Sequence, residues 1–202
     1  MRNLKVLSLA AVAAMALMAF IASPASATGG GLYNGATRLV VGARFDFTIP
    51  SGGSTLWVDT NNNALDACTG STIKGELTNA GSATVNPTGP ITSLTWTGCT
   101  FTTTSLTLGK LQFEWTSGTT GNIKTDATIS VTINTVLFGS CIYGVESGKS
   151  IGTLTTNSTT TATFDANTTV ERLGENIACP PTAKWTGTYT STEPDNLRIE
   201  AS

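Results

Sequence analysis

Apolar side chains recur at every second position through much of this chain, and that alternation most restricts what it can fold into. Leu111, Phe113 and Trp115 alternate with Gln112, Glu114 and Thr116; Ile129, Val131 and Ile133 alternate with Ser130, Thr132 and Asn134; Leu39, Val41, Ala43, Phe45, Phe47 and Ile49 share one phase. A period of two gives an extended strand one dry face and one wet face. Shorter stretches continue the pattern: Leu56 with Val58, Ile73 with Leu77, Ala162 with Phe164 and Ala166, Ala183 with Trp185 and Tyr189, Leu197 with Ile199. These runs predict about ten strands.

Turn-forming segments separate them: Ser51-Gly52-Gly53-Ser54, Asn61-Asn62-Asn63, Asn79-Ala80-Gly81-Ser82, Pro87-Thr88-Gly89-Pro90 and Glu146 to Ser150. Such residues supply positive or fixed φ at short intervals, which implies an all-β antiparallel sandwich, jelly-roll or immunoglobulin-like, with a barrel as the alternative. Thr168 to Glu171 carries a capping-box pattern ahead of Val170, Leu173 and Ile177 and is the one stretch that reads as a short helix.

The N-terminus places Arg2 and Lys5 ahead of an apolar run from Val6 to Ile21, followed by Pro24 and Ala25-Ser26-Ala27. This is the layout of a cleavable secretory leader over residues 1–27. Sixteen helical residues reach only ~24 Å, short of a ~30 Å hydrocarbon core. The expected organisation is a leader, a flexible Gly-rich segment 28–37 and one β domain, 38–202, with no membrane span after the leader. Export implies an oxidising environment, so Cys68, Cys99, Cys141 and Cys179 are expected as two disulfides. Of three pairings, Cys68–Cys99 with Cys141–Cys179 closes one loop within each half of the chain.

Composition excludes several classes of function. There is no histidine, which removes Ser-His-Asp and Cys-His nucleophile systems and imidazole acid–base chemistry. Oxidised cysteines remove thiol catalysis. Only 12% of residues are charged, and beyond the leader nine basic face thirteen acidic side chains, so nothing attracts nucleic acid. Threonine, found 39 times beyond residue 27, suits strands whose outer face meets water. Carboxylate-dependent glycoside hydrolysis needs two paired acids, whereas the acids here are scattered singly in sequence.

Two candidate sites remain. Asp59, Asn61, Asn63 and Asp66 offer oxygens at spacings Ca²⁺ accepts, although Ala64 and Gly70 stand where an EF-hand loop has Gly and Glu, and an Asn-rich turn explains the same residues. No other cofactor is expected. Trp57 lies in the phase opposite Leu56 and Val58 and is expected to be exposed; Trp185 and Tyr189 share a face, buried or forming a shallow carbohydrate platform.

Cys68-Thr69-Gly70-Ser71, Ile73-Lys74-Gly75, Gly98-Cys99, Cys141-Ile142-Tyr143, Ile151 to Leu154 and Trp185 to Tyr189 together resemble a loose group of secreted bacterial proteins. That resemblance implies a leader and a disulfide-bonded β-sandwich, and implies no activity. The reading that follows is a secreted or cell-surface, non-catalytic structural or adhesive protein. Its expected partners are cell-envelope components, polysaccharide or further copies of itself. A carbohydrate or small-ligand module using exposed aromatics is the alternative, and a carboxylate-dependent glycoside hydrolase, should two acids meet in a cleft, ranks behind it.

Overall fold

The computed structural model describes residues 29–156 and 161–202, so the expected leader lies outside the described residues. Fifteen strands follow in order: β1 (Gly30–Asn34), β2 (Thr37–Arg38), β3 (Arg44–Thr48), β4 (Thr55–Asp59), β5 (Ala64–Glu76), β6 (Thr88–Cys99), β7 (Thr102–Thr107), β8 (Lys110–Ser117), β9 (Thr120–Ala127), β10 (Ile129–Thr135), β11 (Gly139–Val145), β12 (Ser150–Thr155), β13 (Thr163–Arg172), β14 (Thr182–Glu193) and β15 (Leu197–Ala201). Every ladder is antiparallel, and the described residues contain no helix.

Four long strands, β5, β6, β13 and β14, organise the sheets because each pairs with different neighbours along its length. At one end, ladders run β14–β3–β5–β6–β8–β9–β12–β13 and return to β14, a closed ring. At the other end they run β6–β5–β4–β14–β13–β11–β10–β7, and no ladder joins β7 back to β6 among the described residues. The large sheet of this all-β sandwich is therefore closed at one end and open along the β6–β7 seam at the other, while β15–β1–β2 forms a separate three-stranded sheet. Closure leaves few free backbone edges, which suits a chain so poor in edge-protecting charge.

The first ring encloses Phe45, Phe47, Phe113, Phe164 and Tyr189, with Phe45 edge-on to Phe113 at 5.1 Å and Phe164 stacked on Tyr189 at 5.6 Å. The second encloses Trp57, Trp96 and Trp185, and Trp185 meets Tyr189 edge-on at 6.2 Å, so the core is continuous. The alternating runs are the walls of this core: Leu111, Phe113, Ile129, Val131, Ile133, Leu197 and Ile199 are all buried. The 39–49 phase holds only from Phe45 onward, since Val41 is exposed at a turn.

Three expectations are corrected. Segment 28–37 is not loose from Gly30 onward: β1 pairs with β15 and buries Leu32 completely. Its glycines permit that docking, because a Cβ on Gly30 would stand 3.1 Å from the Trp115 backbone N. Thr168–Glu171 lies inside β13, where pairing with β14 overrides the cap signal; Val170 turns inward while Leu173 and Ile177 stay exposed. The strand count exceeds ten because Thr-rich strands such as β7 carry few apolar markers. The disulfides are Cys68–Cys99 and Cys141–Cys179, as expected.

Candidate functional site

Trp57 is not an exposed aromatic. Along β4 the inward positions are Thr55 and Trp57, and Leu56 faces out, the reverse of the expected phase. The register explains it: Trp57 stands opposite Trp185 of β14, and the two rings stack at 5.7 Å and 9°. Stacking two indoles removes more apolar area from water than burying one leucine. Trp96 packs edge-on to both rings, at 5.4 and 5.9 Å. Trp185 and Tyr189 are buried as well, so none of the three proposed platform residues presents a face to solvent.

Among the described residues, buried side-chain polar atoms are matched with two exceptions, Trp57 Nε1 and Arg198 Nε. Trp185 Nε1–H donates to Thr55 Oγ1 at 3.0 Å, and the Tyr189 hydroxyl donates to Ser71 Oγ at 3.1 Å. Burial pushes the Tyr189 hydroxyl up to about 12, against smaller opposing effects of its hydrogen bonds, chiefly that with Ser71. Trp57 Nε1–H is buried without a partner.

The proposed calcium ligands occupy two environments, an exposed turn and the buried start of β5. Asp59 holds its own turn: Asn61 and Asn63 N–H groups donate to Asp59 Oδ1 at 2.8 Å, and the Asn63 amide donates to Oδ2 at 2.8 Å. Asn62 takes the left-handed conformation, φ 63°, that the turn requires. The Asn63 side-chain bond is the largest of several effects that hold the Asp59 carboxyl below its usual range. Asp66 is buried instead, accepting from Phe101 N–H at 2.9 Å, from Ala67 N–H at 2.8 Å and from the Thr103 hydroxyl.

What the sequence did not reveal is a cleft on the outer face of β3, β5 and β14. Acids far apart in sequence meet there through ladder register: Arg44 opposes Glu76, Asp46 opposes Lys74, and Glu193 opposes Asp46. The cleft holds about 290 Å³ and is lined by these five residues with Gly75 and Thr92. Lys74 Nζ lies 3.0 Å from Asp46 Oδ2, which offsets the repulsion expected between carboxylates on opposing strands. The sequence signal was two i, i+2 charge pairs, Arg44/Asp46 and Lys74/Glu76, on strands whose other face is apolar.

Thr92 is the extra residue of a bulge, since Lys74 pairs with Ser93 and Gly75 with Ile91. It also begins a second depression along the open seam between β6 and β7, about 550 Å³ and lined by Ser and Thr side chains with Leu94, Trp96, Leu106 and Leu108. Here one side chain replaces the missing ladder: Ser105 Oγ donates to the Leu94 carbonyl at 2.7 Å and accepts from Trp96 Nε1–H at 3.2 Å. A charged cleft thus runs into an uncharged, hydroxyl-rich groove through Thr92. A separate cleft of about 260 Å³ lies beside Glu146, Lys149, Ser150, Thr168 and Glu171.

Compared with known proteins, the chain matches no protein-family model, no curated protein and no solved structure. Its function has to be argued from this surface.

Proposed function

We propose that this is an exported, non-catalytic interaction protein, structural or adhesive, whose contact surface is the cleft of Arg44, Asp46, Lys74, Glu76 and Glu193 together with the groove that continues from Thr92. The observation that carries the reading is that a cleft of mixed charge and a groove of neutral hydroxyls adjoin at Thr92. Such a surface recognises an extended partner by many weak polar contacts, with paired charges setting orientation. The interior supports it too, because the aromatics are spent on packing. Two disulfides and the lack of any helix able to cross a membrane, among the described residues, are compatible with an extracellular protein.

Carbohydrate as the partner is favoured by one specific feature, the half-buried Trp96 beside the Thr and Ser hydroxyls of the groove. The test is retention of the exported protein on immobilised polysaccharides and on envelope preparations from its producer. Arg44→Gln and Leu106→Asp are expected to reduce retention without lowering the melting temperature, since both side chains are exposed. Retention unchanged in both variants would discard this surface.

A further inference from the structure

We propose that the Cys68–Cys99 bridge is a redox switch which, once reduced by an external dithiol, forms with the Asp66 carboxylate a three-ligand site for Zn²⁺. The two sulfur atoms and an Asp66 carboxylate oxygen all lie within 4.8 Å of one another, the only such grouping of metal-ligating side chains among the described residues. Asp66 is held there independently of the bridge, by Phe101 and Ala67 N–H groups and the Thr103 hydroxyl, with Oδ2 3.8 Å from Cys68 Sγ. Cys68 and Asp66 are buried, whereas Cys99 is half-buried and gives reagent and metal a path inward. Two thiolates, one carboxylate oxygen and a water complete the tetrahedral set that zinc accepts.

The two disulfides do different work. Cys68 and Cys99 stand opposite each other in the β5–β6 ladder, which continues through Gly70–Thr97, Ser71–Trp96 and Thr72–Thr95. Reduction therefore leaves the strands paired. Cys141–Cys179 instead ties β11 to a segment that belongs to no ladder, and no carboxylate oxygen lies within 4.8 Å of both its sulfurs among the described residues. In the reaction, the dithiol gives two electrons and two protons to the protein disulfide and leaves as its own cyclic disulfide. Binding of Zn²⁺ then releases the two thiol protons to solvent, leaving two coordinating thiolates.

The test is graded reduction of the exported protein with dithiothreitol, alkylation mapping, and titration of the desalted reduced protein with Co²⁺ and then Zn²⁺. We expect Cys68 and Cys99 to be alkylated first, with strand circular dichroism retained, and a thiolate-to-cobalt charge-transfer band that saturates at one ion per chain and is displaced by Zn²⁺. Asp66→Asn is expected to weaken Co²⁺ binding by about tenfold or more. X-ray absorption of the zinc-loaded wild type, which needs no variant to fold, should count two sulfurs and two oxygens. Earlier opening of Cys141–Cys179, loss of strand signal on reduction, no cobalt band, unchanged binding by Asp66→Asn, or a sulfur count other than two would each overturn the proposal.

Discussion

Removing the Tyr189 hydroxyl, by Tyr189→Phe, isolates how polar groups in this core are held. The ring keeps its stack on Phe164 and its edge contact with Trp185, so packing is preserved. Ser71 Oγ, buried as deeply, loses its donor, and a buried oxygen left alone costs about 1–3 kcal/mol. The hydroxyl also links stability to pH. Burial raises it from 10.0 to about 12, so the folded state keeps the proton more tightly than the unfolded state. Its contribution is complete below pH 10 and is lost as pH rises toward 12; the full span corresponds to about 3 kcal/mol. Tyr143 is raised to about 12 as well, mainly by burial, and its alkaline contribution persists in the variant. Urea midpoints at pH 7 and at half-unit steps from pH 9.5 to 12 are the assay. Tyr189→Phe should be less stable at pH 7 and should lose stability less steeply above pH 10 than the wild type. Equal alkaline slopes, or no cost at pH 7, would refute the reasoning.

Two further perturbations probe other parts. Gly75→Ala forces a methyl against the Phe45 ring and within 2.6 Å of the Pro90 carbonyl oxygen, where backbone leaves no room, so a loss of about 1–3 kcal/mol is expected by thermal melting; a loss below about 0.5 kcal/mol contradicts it. Because Asp59 is held below the ordinary 3.8, its bonds should persist at pH 5 and weaken only as pH falls through the depressed value, read from Asn61 and Asn63 amide shifts; a midpoint at or above 3.8 excludes that turn geometry.

Strands with strict alternation were legible because burial alone sets their phase, as in Leu111–Phe113 and Ile129–Val131–Ile133. The disulfide partners followed from loop lengths within each half. Trp57 departs from its expected phase because β4 has apolar residues in both phases, and a partner 128 positions away, Trp185, decides which one turns inward. The site was not legible for the same reason. Arg44, Lys74 and Glu193 become neighbours only through the β14–β3–β5 register, and the seam exists only because β7 joins β10 rather than β6. Local patterns report which residues are strands, while pairing partners lie far along the chain.

The most direct measurement of the central claim is a binding isotherm of the exported protein on envelopes of its producing cells, run for wild type, Arg44→Gln and Leu106→Asp with melting temperatures in parallel. The account predicts saturable binding by the wild type and at least tenfold weaker binding by both variants at unchanged melting temperature. Absence of saturable binding, or isotherms that coincide for all three proteins, would contradict it.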